Sequence, residues 1–390
     1  MDLPTLAWLL TPEGQALLDR ATLLTTTAEA ADLSIGATLR RDHAPDHVAA
    51  ALTQVDLRRR AVAKFGDDAA RMYWTPDGLE QATRRSVAEH RAARLRLAGL
   101  DTLIDLGCGV GGDLVATARA GLTVVGVDLD PVRVAIAQAN LAALDLGGAV
   151  AQRDATEIDL TAFDIAYADP ARRSARGRSF HPDDWTPPWS LVEQLFLRDA
   201  CVKVAPGIPH ERIPAHVEGE WVSDHGEVKE AALWCGRLSS TRRRATVIGN
   251  GGLATITDED EVCDDVTPMS DYLYEPDGAV IRAGLVQAVA AGVQGSLIDP
   301  HIAYVTSSGA FRTPFARTYV VLEELPYRTK PLRAALRERG IGRLTIKKRG
   351  VAVVPEILRR DLAPRGENEG TIVMTRANGE GRCWLVRPLP

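Results

Sequence analysis

The chain has 390 residues, too many for one core of ordinary size, so two or three domains are expected. Hydrophobic residues make up 45% and charged residues 25%, the usage of a soluble globular protein, and no apolar run reaches the roughly 18 residues of a membrane span, so a membrane protein is not expected. The net charge of −6 is unevenly spread. Between Lys330 and Arg365 eleven Lys or Arg face three acids, while Asp258 to Asp265 holds six acids in eight residues; segregation of this size can mark a polyanion-binding region. Five cysteines, at 108, 201, 235, 263 and 383, include no close pair, so neither a disulfide framework nor a Cys-based zinc site is expected. His181, His210, His216 and His225 lack metal-ligand spacing, and no metal is expected. Met1-Asp2-Leu3-Pro4 lacks the basic start of a secretory leader, which points to the cytoplasm.

In chain order, residues 1–75 carry helical periodicity and almost no strand signal, and are expected as a helical N-terminal domain. From Leu103 short β-rich runs alternate with helical ones: Thr102–Leu106, Thr123–Val127, Ala149–Gln152, Phe163–Ala168 and Cys201–Val204. That alternation predicts βαβ units and a parallel sheet over residues 76–256. Val228–Trp234 and Ala245–Ile248 read as a terminal antiparallel pair, and Thr257–Asp265 as a linker. A second mixed unit, 266–390, is expected to hold helices near Ala279–Ala291, Pro331–Arg339 and Pro355–Arg360. Its strands fall near Ile302–Thr306, Thr318–Glu323, Arg343–Ile346, Thr371–Met374 and Cys383–Val386.

The decisive stretch is Leu103 to Asp113, a strand running into Gly107, Gly109, Gly111 and Gly112 before a helix from about Asp113 to Ala120. Glycines suit a tight bend whose backbone a ligand approaches closely. Gly107, Gly109 and Gly112 also satisfy the dinucleotide fingerprint, so further signals must decide. The next strand ends in Asp128, sixteen residues beyond Gly112, where a carboxylate can accept both ribose hydroxyls. Asp130-Pro131 then caps a helix. Asp154 follows the third strand, within reach of an adenine amino group, and the fourth strand ends in Asp169-Pro170. Asp105, just before the glycines, would oppose a pyrophosphate but suits a ligand with a cationic amino group. S-adenosylmethionine carries such a group and a positive sulfonium, so an acid-rich pocket favours it over a nicotinamide dinucleotide.

Residues from about 70 to 250 resemble a class I methyltransferase, and Asp105 to Gly112 with Val127-Asp128-Leu129-Asp130-Pro131 is similar to the core of the trimethylguanosine synthase group of RNA-modifying enzymes. Trp74-Thr75-Pro76 and the helix carrying His90 also look like that group, which implies that Thr75 helps enclose the cofactor. The whole chain, including Tyr272-Leu273-Tyr274-Glu275-Pro276, resembles bacterial methyltransferases with a THUMP-like C-terminal domain. The resemblance implies a Rossmann-like α/β fold with a seven-stranded sheet, flanked by an N-terminal helical domain and a C-terminal α+β THUMP-like domain. It also implies an RNA substrate, because THUMP domains are RNA-binding modules. Asp105, Gly107, Gly109, Gly111, Asp128, Leu129, Asp154 and Thr75 are thereby the expected cofactor residues.

At the reacting end, enzymes that methylate exocyclic amines use a strand-end Asp-Pro-Pro-aromatic motif. Here Ala171-Arg172-Arg173 stands where the second proline and the aromatic would be. Asp169 can still orient an N–H nucleophile beside Pro170, while Arg172 and Arg173, extended by Arg176 and Arg178, suit a phosphate or a stacked base. Trp185 or Trp189 can supply a stacking surface or pack in the core, and Lys203 and the polar stretch Glu218 to Glu227 can edge the pocket. The leading expectation is methylation of a base nitrogen in tRNA or rRNA, with RNA held by Lys347, Lys348, Arg349, Arg359 and Arg360. Methylation of a protein or small molecule, or a non-catalytic cofactor- and RNA-binding module, are the alternatives.

Overall fold

The chain begins with helices: α1 (Leu3–Leu9), α2 (Pro12–Thr27), α3 (Ser34–Leu39), α4 (Pro45–Phe65), α5 (Pro76–Gln81) and α6 (Arg85–Leu97). The computed structural model describes residues 1–27, 34–172 and 185–389. α4 shows why this region is helical: Pro45 opens it, and Val48, Ala51, Gln54, Leu57, Ala61 and Phe65 fall at three- and four-residue spacings on one buried stripe. Gln54 lies on that same stripe, a polar residue where the pattern calls for an apolar one.

The βα part follows as β1 (Thr102–Leu106), α7 (Gly112–Arg119), β2 (Thr123–Asp128), α8 (Pro131–Ala143), β3 (Ala149–Gln152) and β4 (Ile165–Ala168). A two-stranded ribbon of β5 (Ala171–Arg172) and β6 (Trp185–Thr186), then α9 (Trp189–Leu195) and β7 (Ala200–Val204), complete it. The strands lie side by side in the order β7-β4-β1-β2-β3, each pair parallel. Strand order reverses between β1 and β4, so the carboxyl ends of β1, β2 and β4 border the crevice where open α/β sheets bind ligands. Register brings them level, with Asp105 opposite both Gly126 and Tyr167. All five strands expected here form, within two residues of their anticipated ends.

Two compact units emerge: Met1–Val204 with Ala232–Ser240, and Ala205–Ala231 with Thr241–Pro390. This division differs from the three parts expected. Leu9, Leu17 and Leu57 of the first helices share one buried cluster with Leu103, Leu114, Val124 and Ile136 of the βα part. At about 2 kcal/mol per buried side chain, neither set would retain its core if separated.

The second unit starts with β8 (Glu218–Asp224), followed by β9 (Glu227–Cys235), which crosses the unit boundary, β10 (Arg243–Gly249) and β11 (Gly252–Thr257). The sixth and seventh strands of the expected sheet are thus not held by the first unit alone. The antiparallel partner of β10 is β11, not the Val228–Trp234 segment, and on its other side β10 runs parallel to β8. The tight turn at Asn250 and Gly251 allows this pairing, which the acid-rich sequence beyond it concealed. Nor is 257–265 a free linker: Thr257 ends β11, Cys263 N–H donates to Gln287 O, and Leu297 N–H donates to Asp265 O.

The chain continues with β12 (Tyr272–Pro276), α10 (Gly278–Ala283), α11 (Val286–Gly292), β13 (Ser296–Leu297), β14 (Val305–Ser307) and β15 (Ala316–Leu325). It ends with α12 (Thr329–Glu338), β16 (Ile341–Arg349), α13 (Pro355–Leu362), β17 (Asn368–Ala377) and β18 (Glu380–Pro388). The single helix expected over Ala279–Ala291 is two, because Gly284 adopts φ 76° and ends α10. Strands β12–β18 form a seven-stranded sheet in the order β13-β14-β12-β15-β18-β17-β16. On one face α12 and α13 bury Leu332, Leu336, Leu358 and Leu362 against Ile346, Ile372, Met374 and Leu385; on the other Leu273, Tyr304, Tyr319 and Trp384 form a separate cluster. No helix among the described residues is long and apolar enough to cross a membrane.

Candidate functional site

Beyond β1 the backbone makes its bend with Gly107, Gly109 and Gly111 at φ 107°, 56° and 82°, a region L side chains rarely adopt. The amides of Gly107 and Cys108 both donate to Val127 O at 2.9 Å, which ties the bend to the end of β2. Asp128 completes the tie: its Oδ2 accepts from Gly109 N–H at 3.0 Å and its Oδ1 from Asp130 N–H at 2.9 Å. A Cβ placed on Gly109 would meet nothing within 4 Å, so this backbone faces open space. Gly111 does different work. A Cβ there would sit 3.1 Å from Ala137 Cβ, so Gly111 lets α7 and α8 approach and does not line the cavity.

The open space is a cavity of about 940 Å³ lined by Asp105, Gly107, Gly109, Asp128, Leu129 and Asp154, with Asp169 and Lys203 also on its wall. Six of the eight expected cofactor residues therefore converge there. Thr75 does not line it; its Oγ1 caps α5 by accepting from Gly78 N–H at 3.0 Å, and Gly78 and Gln81 of α5 are the lining residues. Asp154 caps a turn, its Oδ1 accepting from Thr156 N–H at 2.9 Å and Oγ1 at 2.7 Å.

Asp105 is 2% exposed, and its Oδ1 has no hydrogen-bond partner among the described residues. Burial pushes its carboxyl well above the usual range, the charges of Asp113 and Asp169 push the same way, and Arg91 opposes them. A cavity wall with an orphaned, strained-for-charge carboxylate is suited to receive a cationic donor.

Side chains outside the expected cofactor set hold this wall, Lys203 being the one anticipated at the pocket edge. Asn140 of α8 accepts from Tyr73 N–H at 2.6 Å and donates to Tyr73 O at 3.1 Å and Val110 O at 2.8 Å. Gln54 of α4 accepts from Trp74 N–H at 3.0 Å and donates to Trp74 O at 2.7 Å. These two buried amides clamp the segment that leads into α5. Arg91 of α6 pairs with Asp113, and its guanidinium lies 4.8 Å from the Tyr167 ring centre. Thr83 donates to Asp113 Oδ2 at 3.0 Å, and Lys203 Nζ reaches Thr83 Oγ1 at 3.1 Å and Asp169 Oδ2 at 2.5 Å. Gln54, Arg91 and Asn140 each interrupt a buried apolar stripe, which is the signal that would have found them.

Of the expected reacting residues, Asp169 is half-buried on the cavity wall and Pro170 is buried behind it. Arg172 lies on β5 with its backbone opposite Trp185. Arg173, Arg176 and Arg178 lie outside the described residues, as does His181. Trp189 opens α9 and packs edge-on against Phe196, 6.0 Å between ring centres, and Glu218–Asp224 forms β8 of the second unit rather than an edge of this cavity. No group of His, Cys, Asp or Glu with metal-holding geometry occurs among the described residues.

The expected RNA contacts divide between two environments within the second unit. Along β16 side chains alternate, so Lys347 and Arg349 share one face: Lys347 Nζ lies 2.5 Å from Glu275 Oε2 and 5.5 Å from the Tyr319 ring, and Arg349 lies 5.0 Å from the Tyr304 ring. These two are committed to an internal network with Glu275. Lys348 points the other way and is exposed, as are Arg359 and Arg360 of α13, and as are Lys330 and Arg337 of α12. Arg359 also donates to Leu344 O at 3.3 Å.

A family profile described as a methyltransferase domain matches residues 103–172, and one described as THUMP domain-like matches residues 316–388. A third, a domain of unknown function, matches residues 2–61. Two curated relatives, uncharacterised S-adenosylmethionine-dependent methyltransferases from two strains of Mycobacterium tuberculosis, are each 39% identical over 331 residues, covering 82% of this chain and 90% of theirs. The crystal structure of a candidate methyltransferase from Porphyromonas gingivalis W83 superposes with a TM-score of 0.76 over 96% of this chain and 99% of its own, at 22% identity, a likeness of fold.

Proposed function

The chain belongs to the S-adenosylmethionine-dependent methyltransferases, and we propose that it transfers the methyl group to a base nitrogen of tRNA or rRNA. The observation that carries the placement of the cofactor is the orphaned Oδ1 of buried Asp105 behind an open glycine bend. Asp105 would receive the amino group of the methionine part, where a pyrophosphate would be repelled. Both oxygens of Asp128 already accept one backbone N–H, and a carboxylate has about four lone-pair sites, so two remain for the ribose hydroxyls. Asp154 stands at the adenine end, with Leu129 as an apolar wall.

Bound there, S-adenosylmethionine would supply an electrophilic methyl carbon: the acceptor lone pair would form the new bond as the carbon–sulfur pair returned to sulfur, giving the neutral thioether, and the acceptor nitrogen's proton would pass to solvent. Asp169 orients the acceptor N–H at the end of β4, with Pro170 fixing the backbone beside it, and Arg172 and Arg173 supply cations for RNA phosphate. RNA is the favoured acceptor because the THUMP domain-like match spans the segment that also carries the exposed cations Lys348, Arg359 and Arg360. The test is to incubate the protein with radiolabelled cofactor and total RNA or total protein from cells lacking its gene. Label is expected in RNA; label confined to protein would overturn the RNA assignment.

A further inference from the structure

β7 reads Ala-Cys-Val-Lys-Val, a buried strand with one ammonium in it. Ala168 pairs with Val202, so the next residues along the two strands are Asp169 and Lys203, and their side chains meet at 2.5 Å with Lys203 only 16% exposed. The lysine is also anchored from the far side. Its contact with Thr83, the Thr83 bond to Asp113 and the Asp113–Arg91 pair form a continuous polar chain from α6 to the cavity wall.

Six acids, Asp105, Asp113, Asp128, Asp130, Asp154 and Asp169, line the cavity together with the cations Lys203, Arg133 and Arg153, and of these Lys203 is the one paired with Asp169. A carboxylate left unpaired beside a sulfonium would stabilise the bound donor more than the transition state, in which the positive charge leaves sulfur. Binding gained in that way slows transfer. Pairing Asp169 with an ammonium offsets the charge of that one carboxylate. It also commits Oδ2, leaving Oδ1 without a hydrogen-bond partner among the described residues.

We infer that Lys203 is a positioning residue for methyl transfer: it fixes Asp169 so that Oδ1 meets an acceptor N–H, and it cancels the Asp169 charge next to the methyl donor. The inference rests on the reading of this cavity as the cofactor site and of Asp169 as the acceptor's partner.

Calorimetry separates the two on the full chain without an acceptor, using S-adenosylmethionine, which is cationic at sulfur, and S-adenosylhomocysteine, which is not. In Lys203→Met the affinity ratio should shift toward S-adenosylmethionine by about 5- to 20-fold near pH 8. Lys203→Arg should keep the ratio within about 2-fold of wild type, and adding Asp169→Asn to Lys203→Met should restore it. Both affinities weakening together with an unchanged ratio would overturn the inference and leave the cofactor reading intact. Failure of wild type to bind either nucleoside would instead bring down the cofactor reading. Should Lys203→Met not fold, Thr83→Val loosens the same ammonium and should move the ratio about 2- to 3-fold in the same direction; an unmoved ratio there overturns the inference as well.

Discussion

At the glycine bend of the cavity the main chain does the holding, with the amides of Gly107, Cys108 and Gly109 tied to Val127 and Asp128. At the end of β4 side chains do it, with Asp169 held by Lys203 and, through it, by Thr83, Asp113 and Arg91. Main-chain geometry of that kind demands glycines and a strand-end acid within a short stretch of sequence. A side-chain network can be assembled from positions as far apart as 83 and 203, and many residue types would serve.

The largest expected effect that can break this contrast is Asp105→Asn. Cofactor affinity should fall by about 100-fold or more, the loss of a buried charge-assisted contact. The ligand-free protein should become more stable. Its raised carboxyl favours the folded state at low pH and loses that contribution as pH rises through the raised value, so the variant's gain in melting temperature should appear at the alkaline side and vanish in acid. Asp169→Ala is its counterpart: methyl transfer should drop by about 100-fold with affinity for the uncharged S-adenosylhomocysteine changed less than about 3-fold, read by label incorporation and calorimetry. An affinity collapse in Asp169→Ala would erase the distinction between the ends.

Asn140→Ala comes next, because it leaves the peptide groups of Tyr73 and Val110 buried without partners. Denaturant unfolding should show a loss of about 2–3 kcal/mol, and S-adenosylhomocysteine should bind about 10-fold more weakly as α5 loosens. The smallest effects belong to the second unit. Lys348→Ala or Arg360→Ala should weaken RNA binding by a few-fold and lower the slope of log affinity against log salt by about 1 each. Lys347→Ala should instead reduce stability, since its ammonium pairs with Glu275. Equal RNA defects from Lys347→Ala and Lys348→Ala would contradict the division between the faces of β16.

The positions of β1 to β4 and β7 and the convergence of Asp105, Asp128, Asp154 and Asp169 were legible because period and strand-end acids are local signals. The pairing of β10 with β11 was hidden by the acids that follow, and the break at Gly284 by continuing apolar periodicity on both sides of it. What covers the N-terminal helices was not legible, because helical periodicity identifies a buried face without saying what packs on it. Here Leu9, Leu17 and Leu57 are covered by the βα part itself. Charge density alone likewise could not show that Lys347 and Arg349 turn toward Glu275, which stands more than seventy residues earlier in the chain.

The role of Asp105 can be tested by titrating the purified protein and Asp105→Asn with S-adenosylhomocysteine and with its analogue lacking the α-amino group. The wild-type protein should bind the analogue about 100-fold more weakly than the parent, and the variant should bind the two alike. Equal binding of both compounds by the wild-type protein would contradict the assignment of the buried carboxylate, and with it the account of how this cavity recognises its cofactor.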